Sequence, residues 1–463
     1  MLTRNDTIVA ISTAPGRGAI GVVRLSGQQA VAIARRLTTP FPASARTTTL
    51  AAIHEPDAPD RVVDRGLVTW YAAPASYTGE DVVEFAVHGG TMVSTLVMEA
   101  AIGAGARPAL PGEFTERAVL QGKMDLVQAE AVADLIDART RAAHRAASRQ
   151  LDGALSRRLE ALREAVLHVD ALIAYDIDFP AEDEAAPSRP RVLAACDAAI
   201  GQIEQLLATL PAAALGRDGA LVVLAGPPNA GKSALLNALV GEHRVIVSDV
   251  PGTTRDAIEV LVDDSPYPLR LVDTAGLRQS GDALERLGIE VSERYLAQAH
   301  VVLACAETAE ALAETVRVVA TLTQGAVVPV ATKADIAPRT QAPHDAERLA
   351  VSKGNMVPGV RVSSVTSVGL DALRAAIRTA LNERVALPPD DMPIVSCARH
   401  EAALRRAAEE LRTFRAAWAA DALPAPVAAT HLRAAATALE SLIGAVDVED
   451  VLERVFRTFC VGK

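Results

Sequence analysis

A run of small and aliphatic residues, Ala220–Ala225, leads directly into Gly226-Pro227-Pro228-Asn229-Ala230-Gly231-Lys232-Ser233, and an apolar helical stretch follows from Ala234. This GxxxxGK[ST] spacing constrains the local fold severely, because it works only where a strand, a tight loop and a helix follow one another. Gly226 and Gly231 let successive backbone N–H groups turn toward one point, an arrangement that cradles phosphate oxygens. Lys232 adds a point charge against the β- and γ-phosphates, and Ser233 offers its hydroxyl to magnesium. The segment predicts a P-loop α/β domain that binds a nucleoside triphosphate.

Four more stretches follow in a compatible order. Gly252-Thr253-Thr254-Arg255-Asp256 is a polar loop of the kind that closes on magnesium around a bound triphosphate, with Thr254 as the candidate ligand. The preceding Ser248-Asp249-Val250-Pro251 is assigned to the same site. Asp273-Thr274-Ala275-Gly276 ends the apolar run Leu269–Val272, which places Asp273 in the magnesium shell through water and Gly276 near the γ-phosphate. Thr332-Lys333-Ala334-Asp335 follows the run Ala326–Val330. The Asp335 carboxylate can accept two hydrogen bonds from a guanine edge, which adenine cannot offer, so the expected nucleotide is GTP. Ser363-Ser364-Val365 is the loop expected to back the base. Any one of these short matches is weak, but five in order are strong.

Leu277 stands where Ras-type GTPases carry the glutamine that orients the attacking water, and an aliphatic side chain cannot do that. Glu285, in the polar stretch Asp282-Ala283-Leu284-Glu285, is the candidate acid for the role, although a surface helix acid is the plainer reading of it from the residues alone. Arg255 and Arg278 are candidates for a charge-neutralising finger, and Asn229 is placed to help hold a monovalent cation serving the same end.

The chain of 463 residues is too long for one core, so two to four domains are expected. With 50% hydrophobic residues but only 3% aromatic, its composition suits helices packed through alanine and leucine. Residues 7–25 read as strand, Pro-Gly turn, strand. Further strand-like runs at Gly66–Tyr71 and Asp81–Val87, then helical Thr91–Gly103, make an α+β domain over 1–120. From Leu126 the apolar spacing turns helical through 121–213, with a break at Pro180–Pro190 and another at Pro211–Gly219. The nucleotide segment, 217–382, separates this from a second helical part, 390–463. There Leu404, Ala407, Leu411, Phe414 and Trp418 repeat like a heptad seam. The expected fold is therefore multidomain α/β, with the nucleotide domain inserted into a helical one.

No run of eighteen apolar residues suggests a membrane span, and the first residues resemble neither a signal nor a transit peptide. Four scattered cysteines, with no CxxC spacing, fit a reducing compartment, so the expected location is cytoplasmic. A net charge of −11 argues against a broad nucleic-acid footprint while leaving room for a local basic patch. One such stripe is Arg141, Arg145 and Arg149, with Arg157-Arg158 beyond; a solvated helix face is its plainer reading.

Outside the nucleotide segment the chain resembles the MnmE (TrmE) family of bacterial tRNA-modification GTPases. The resemblance rests on Thr7–Gly18 with Arg24-Leu25-Ser26-Gly27, Ser76–Glu84 with His88-Gly89-Gly90, and Pro111–Ala118. It also rests on Lys123–Leu126 with Gln128-Ala129-Glu130, and on Phe459-Cys460-Val461-Gly462-Lys463. It implies that the N-terminal domain binds a tetrahydrofolate derivative (5-formyl or 5,10-methylene) and forms a homodimer, with Arg24, Glu84, Lys123 and Lys463 contacting the folate. Cys460 matches a thiol implicated in the modification. In the nucleotide domain the resemblance implies a potassium site formed by Asn229, Ser248, Val250 and Thr253, and it gives Glu285 the water-orienting role.

The activity implied is addition of a carboxymethylaminomethyl or aminomethyl group to carbon 5 of the wobble uridine of tRNA. The family works with the FAD protein MnmG (GidA) in a heterotetramer or larger complex. Thr332, in place of the commoner asparagine, keeps specificity with Asp335 but lowers the expected affinity. Ser248, Ser364 and Ala234 are smaller departures. The alternative from another class is a ribosome-assembly GTPase that binds RNA as a switch; the folate-like N-terminal stretches weigh against it.

Overall fold

The computed structural model describes residues 6–56, 58–178, 189–241, 245–246, 259–264, 267–273, 293–336, 359–385, 388–389, 392–444, 456, 459 and 461–462. The chain divides into two compact units. One comprises Met1–Ala133, Gln150–Ala199 and Arg406–Lys463; the other comprises Asp134–Arg149 and Ile200–Arg405.

The first unit opens on a seven-stranded sheet. Its spatial order is Thr38–Thr39, Thr48–Glu55, Ala58–Tyr71, Val82–His88, Ile20–Ser26, Ile8–Ile11 and Arg107–Pro108. All pairings are antiparallel except the last, where Ile8–Ile11 runs parallel to Arg107–Pro108. Period-two alternation sends Val23, Leu25, Val68, Val83, Phe85 and Val87 to one face, where helices Ala30–Leu37 and Thr91–Gly103 cover them. The strand Thr48–Glu55 was not foreseen, because Thr-Thr-Leu-Ala-Ala-Ile carries little hydrophobic alternation. It forms because Leu50, Ala51 and Ile53 find cross-strand partners in Leu67, Gly66 and Asp64.

Helices from both flanks also lie in this unit, in whole or in part. Helix Ala154–Asp178 packs on Ala425–Ile443, and Arg163 Nε donates to Glu440 Oε1 at 2.6 Å. Along the helix Ala398–Ala420, Leu404, Ala407, Leu411, Phe414 and Trp418 are all buried, as the seam requires. Cys196, in helix Arg189–Leu207, donates to the Leu411 carbonyl at 3.4 Å. Burial pushes this thiol up to about 12, so it stays protonated.

The second unit holds the doubly wound nucleotide domain, inserted between those helical flanks. From one edge its strands run Val360–Arg361, Ala326–Ala331, Val301–Ala306, Ala220–Ala225, Leu269–Asp273, Glu259–Val262 and Val245–Ile246. The first five are parallel and the last two antiparallel. Parallel strands need cover on both faces, and alternate residues supply two cores. Val222, Leu224, Leu271 and Leu303 pack with Leu235, Leu239, Leu373 and Ile377 on one side. Leu221, Val223, Val302 and Ala304 pack with Leu312, Val316 and Val319 on the other.

One sequence expectation is corrected here. Pro211–Gly219 is not a break but the helix Leu210–Asp218, with Pro211 in its first turn. A proline there forfeits no hydrogen bond, since the first N–H groups of a helix have no internal partner. The helical stretch Arg189–Asp218 is long and apolar enough by composition to cross a membrane. Val192, Cys196, Ala199, Ile203 and Leu206 recur along it as a buried stripe, which is the signature of a core helix.

Candidate functional site

In a parallel sheet the loops leaving the carboxyl ends of the strands converge on one edge, and ligands bind there. Here that edge gathers the phosphate loop after Ala225, Asp273 at the end of its strand, Thr332-Lys333-Ala334-Asp335 after Ala331, and Ser363 beyond Arg361. Register holds them level: Asp273 lies opposite Leu224, and Ala331 opposite both Ala306 and Arg361.

Gly226 has φ of +153°, and a Cβ on it would lie 2.1 Å from the Cys305 carbonyl oxygen, so no other residue fits. Asn229 is exposed with φ of +62°, a left-handed conformation that asparagine tolerates. Lys232 is buried, and its ammonium donates to the Gly226 and Pro227 carbonyls at 2.9 and 2.8 Å. These bonds curl the loop around its own lysine. Ser233, the first-turn residue of helix Lys232–Gly241, donates its hydroxyl to Asp273 Oδ2. Two oxygen ligands, one from this helix and one from the end of the strand Leu269–Asp273, thus meet where magnesium is expected, and oxygen ligands are what that hard cation takes.

The base-recognition end is equally well tied. Thr332 is buried; its N–H and its hydroxyl both donate to the Ala306 carbonyl, at 2.9 and 3.2 Å. Ala334 N–H donates to the Val362 carbonyl at 3.0 Å. Lys333, at φ of +57°, pairs with Glu307 at the end of the neighbouring strand. The fully buried Ser363 donates to Asp335 Oδ1 at 2.7 Å and accepts from the N–H groups of Val365 and Thr366 at 3.3 and 3.2 Å. Asp335 itself is exposed, with its carboxylate fixed in direction. Val365 is 84% exposed at the rim. Asn229, Ala230, Gly231, Lys232, Ser233, Ala234, Asp273 and the two guanine-side loops are therefore grouped at one sheet edge. Ser248 to Thr254, Thr274 to Gly276, Leu277 and Glu285 lie outside the described residues.

In the N-terminal sheet, Arg24 and Glu84 face each other across adjacent strands, with Nη2 to Oε1 at 2.7 Å and Nε to Oε1 at 2.9 Å. The guanidinium lies over the rings of Tyr77 and Phe114, 5.5 and 5.7 Å from their centroids. Burial, and then the charge and hydrogen bond of Glu84, raise the Tyr71 hydroxyl above its ordinary range. Lys123 reaches the loop that carries Tyr77, donating to the Pro74 carbonyl at 3.0 Å. The chain's last described residues dock on the same sheet: Ser12 Oγ donates to the Gly462 carbonyl at 3.1 Å, and Val461 bridges Pro111. Cys460 and Lys463 lie outside the described residues.

Sequence reasoning missed the aromatic wall of Tyr71, Tyr77 and Phe114. It also missed an ionic cluster beside it. Glu113, fully buried, accepts from Arg107, from Arg117 at 3.0 Å and from Leu110 N–H at 2.8 Å. Asp6 and Glu80 complete the cluster around the two arginines. Burial alone would raise the Glu113 carboxyl; Arg107, the Leu110 N–H and Arg117 outweigh it and hold it down at about 2.

A family model described as the MnmE helical domain matches residues 126–460, and one described as the GTP-binding protein TrmE N-terminus matches 7–123. The tRNA modification GTPase MnmE of Aquifex aeolicus is 36% identical over 460 residues, spanning 99% of this chain and 100% of its own. That of Symbiobacterium thermophilum is 41% identical over 466 residues, spanning 99% of each. Among solved structures, the G domain of the T. maritima FeoB iron transporter aligns with 35% of this chain and 98% of its own, at 25% identity and a TM-score of 0.27. Matched end to end by these two MnmE proteins, with a phosphate loop and the Thr332-Lys333-Ala334-Asp335 loop at one sheet edge, the chain belongs to the MnmE family of tRNA modification GTPases.

Proposed function

We propose that this chain hydrolyses GTP to drive domain motion during modification of the tRNA wobble uridine. The observation that carries the reading is the shared sheet edge, where Ser233 meets Asp273 and Ser363 orients Asp335. Magnesium would sit at the first pair and guanine at the second. Potassium would be held by Asn229 with Ser248, Val250 and Thr253, supplying positive charge of the kind an arginine finger supplies. Glu285 would orient the attacking water.

The Arg24–Glu84 pair suits a folate, whose pterin an acid can grip and whose glutamate tail cations can pair; Lys123 and Lys463 would supply the latter. The tetrahydrofolate would give the one-carbon unit, and the FAD-bearing partner MnmG would share the carbon chemistry. Cys460 would sit close to this step. A homodimer is supported by the solvent face of the N-terminal sheet, where exposed Leu50 and Leu67 oppose each other and continue through Ala86 and Val22. An apolar row of this kind marks an interface. A cytoplasmic setting suits Cys196 and Cys305, both held as thiols by burial.

The test is the nucleoside composition of tRNA from cells with and without the gene, read by mass spectrometry. Loss of the carboxymethylaminomethyl or aminomethyl uridine on deletion is expected. An unchanged profile would sink the reading in favour of a ribosome-assembly switch.

A further inference from the structure

Along the helix Arg141–Leu151 every ionisable side chain is basic: Arg141, His144, Arg145 and Arg149, with no acid among them. In a chain with 57 acidic residues against 46 Lys and Arg, this is a local reversal of sign. All four are exposed, while Thr140 and Ala147 on the other side are buried. At roughly 100° per residue the four fall within an arc of about 140°, and Arg141, Arg145 and Arg149 follow one another about 6 Å apart along the axis. The surface is a line of positive charge.

Solvation alone does not account for it. A solvated helix face ordinarily mixes signs, because like charges four residues apart repel each other. Here Arg141 with Arg145, and Arg145 with Arg149, are two like-charge pairs at that spacing, with Asp263 beside the first of them. A polyanion laid along the stripe would offset both.

The helix is also fixed to the nucleotide domain at its start. Thr140 Oγ1 accepts from Ala143 N–H at 3.0 Å and donates to the Gly216 carbonyl at 3.1 Å. Gly216 belongs to the helix Leu210–Asp218, which leads through Gly219 into the strand ending at the phosphate loop. Arg141 Nε lies 3.5 Å from Asp263, directly after the strand Glu259–Val262. That strand is next in sequence after the loop expected to close on magnesium.

We propose that Arg141, His144, Arg145 and Arg149 form a docking surface for the phosphate backbone of tRNA. The inference rests on the tRNA-modification reading above and deepens it. Backbone docking is sequence-independent, which suits an enzyme whose chemistry selects one base elsewhere. Because Asp263 competes for Arg141, bound RNA and the strand behind the magnesium loop share one side chain.

The experiment measures tRNA transcript binding to the full-length protein by fluorescence anisotropy across a potassium chloride series. Arg141→Ala/Arg145→Ala/Arg149→Ala is expected to bind about tenfold or more weakly near 0.1 M salt, with the slope of log K against log salt shallower by about 2 to 3. Asp263→Ala, which releases Arg141, is expected to bind about two- to fivefold more tightly. Arg145→Glu, one exposed residue outside both sites, guards against misfolding of the triple variant: it should weaken binding while leaving the thermal midpoint in place. An unchanged salt slope in the triple variant together with unchanged binding in Arg145→Glu would overturn the inference, as would absence of tRNA binding by the unaltered protein. The nucleoside profile separately decides the modification reading, so a failure of the stripe and a failure of that reading are told apart.

Discussion

The buried hydroxyl of Ser363 donates to Asp335 at 2.7 Å and so aims the carboxylate proposed to read guanine. A carboxylate free to rotate would pay for its orientation when the base arrives; this one is already set. Ser363→Ala is expected to weaken GTP binding about fivefold, the worth of one hydrogen bond near 1 kcal/mol. It should leave discrimination against ATP intact, since Asp335 remains. Nucleotide titration by calorimetry checks this; unchanged GTP affinity would show that Asp335 needs no guide.

Thr332 spends its hydroxyl on the Ala306 carbonyl, and its Cβ lies 3.8 Å from where a Cβ on Gly231 would stand. The guanine loop and the phosphate loop therefore approach each other closely here. Thr332→Asn adds an amide long enough to span that gap. Tighter GDP binding, by about fivefold for one new hydrogen bond, is the expected outcome in stopped-flow release kinetics. Equal release rates would place the tethering elsewhere.

In the proposed mechanism, Leu277 cannot orient the attacking water and Glu285 takes that role. Glu285→Ala should lower GTP turnover at least a hundredfold while leaving GTP affinity within about twofold of the parent. Replacing potassium by sodium should slow the parent enzyme as well. Normal turnover in the variant would remove Glu285 from the mechanism, and indifference to the cation would remove Asn229.

The Glu113 cluster makes the N-terminal sheet acid-sensitive. The folded carboxyl sits at about 2, below its ordinary value of 4.5, so the folded state binds fewer protons than the unfolded one in that interval. Its stabilisation is complete above about pH 4.5 and fades as pH falls toward 2. The whole effect is at most about 3 kcal/mol. Glu113→Gln should unfold at lower denaturant at pH 7 and lose less stability than the parent on acidification, as followed by circular dichroism. A parallel pH profile for the two proteins would contradict the assignment.

What could be seen in advance followed from how locally each feature is encoded. Phosphate recognition needs contiguous backbone N–H groups, so eight consecutive residues from Gly226 to Ser233 betray it. Arg24 and Glu84 are 60 residues apart and become partners only through strand register; here a family resemblance supplied what spacing could not. Glu113 has the look of a surface acid in the sequence, because nothing nearby announces that Arg107 and Arg117 will enclose it. Pro211 misled for the opposite reason. A local rule that treats proline as a breaker was applied at a helix start, the one helical place where proline costs nothing.

Arg163 and Glu440 join helices whose partners lie 277 residues apart in the chain. At a synthesis rate of about 5–20 residues per second, the first helix waits roughly 15 to 55 s for its match. During that time the nucleotide domain emerges between them and can close its own two cores. The apolar stripe of Leu155, Leu159, Leu162 and Val166 meanwhile faces water on the ribosome, and newborn chains of this kind are exposed to chaperones for longer than their length alone would suggest.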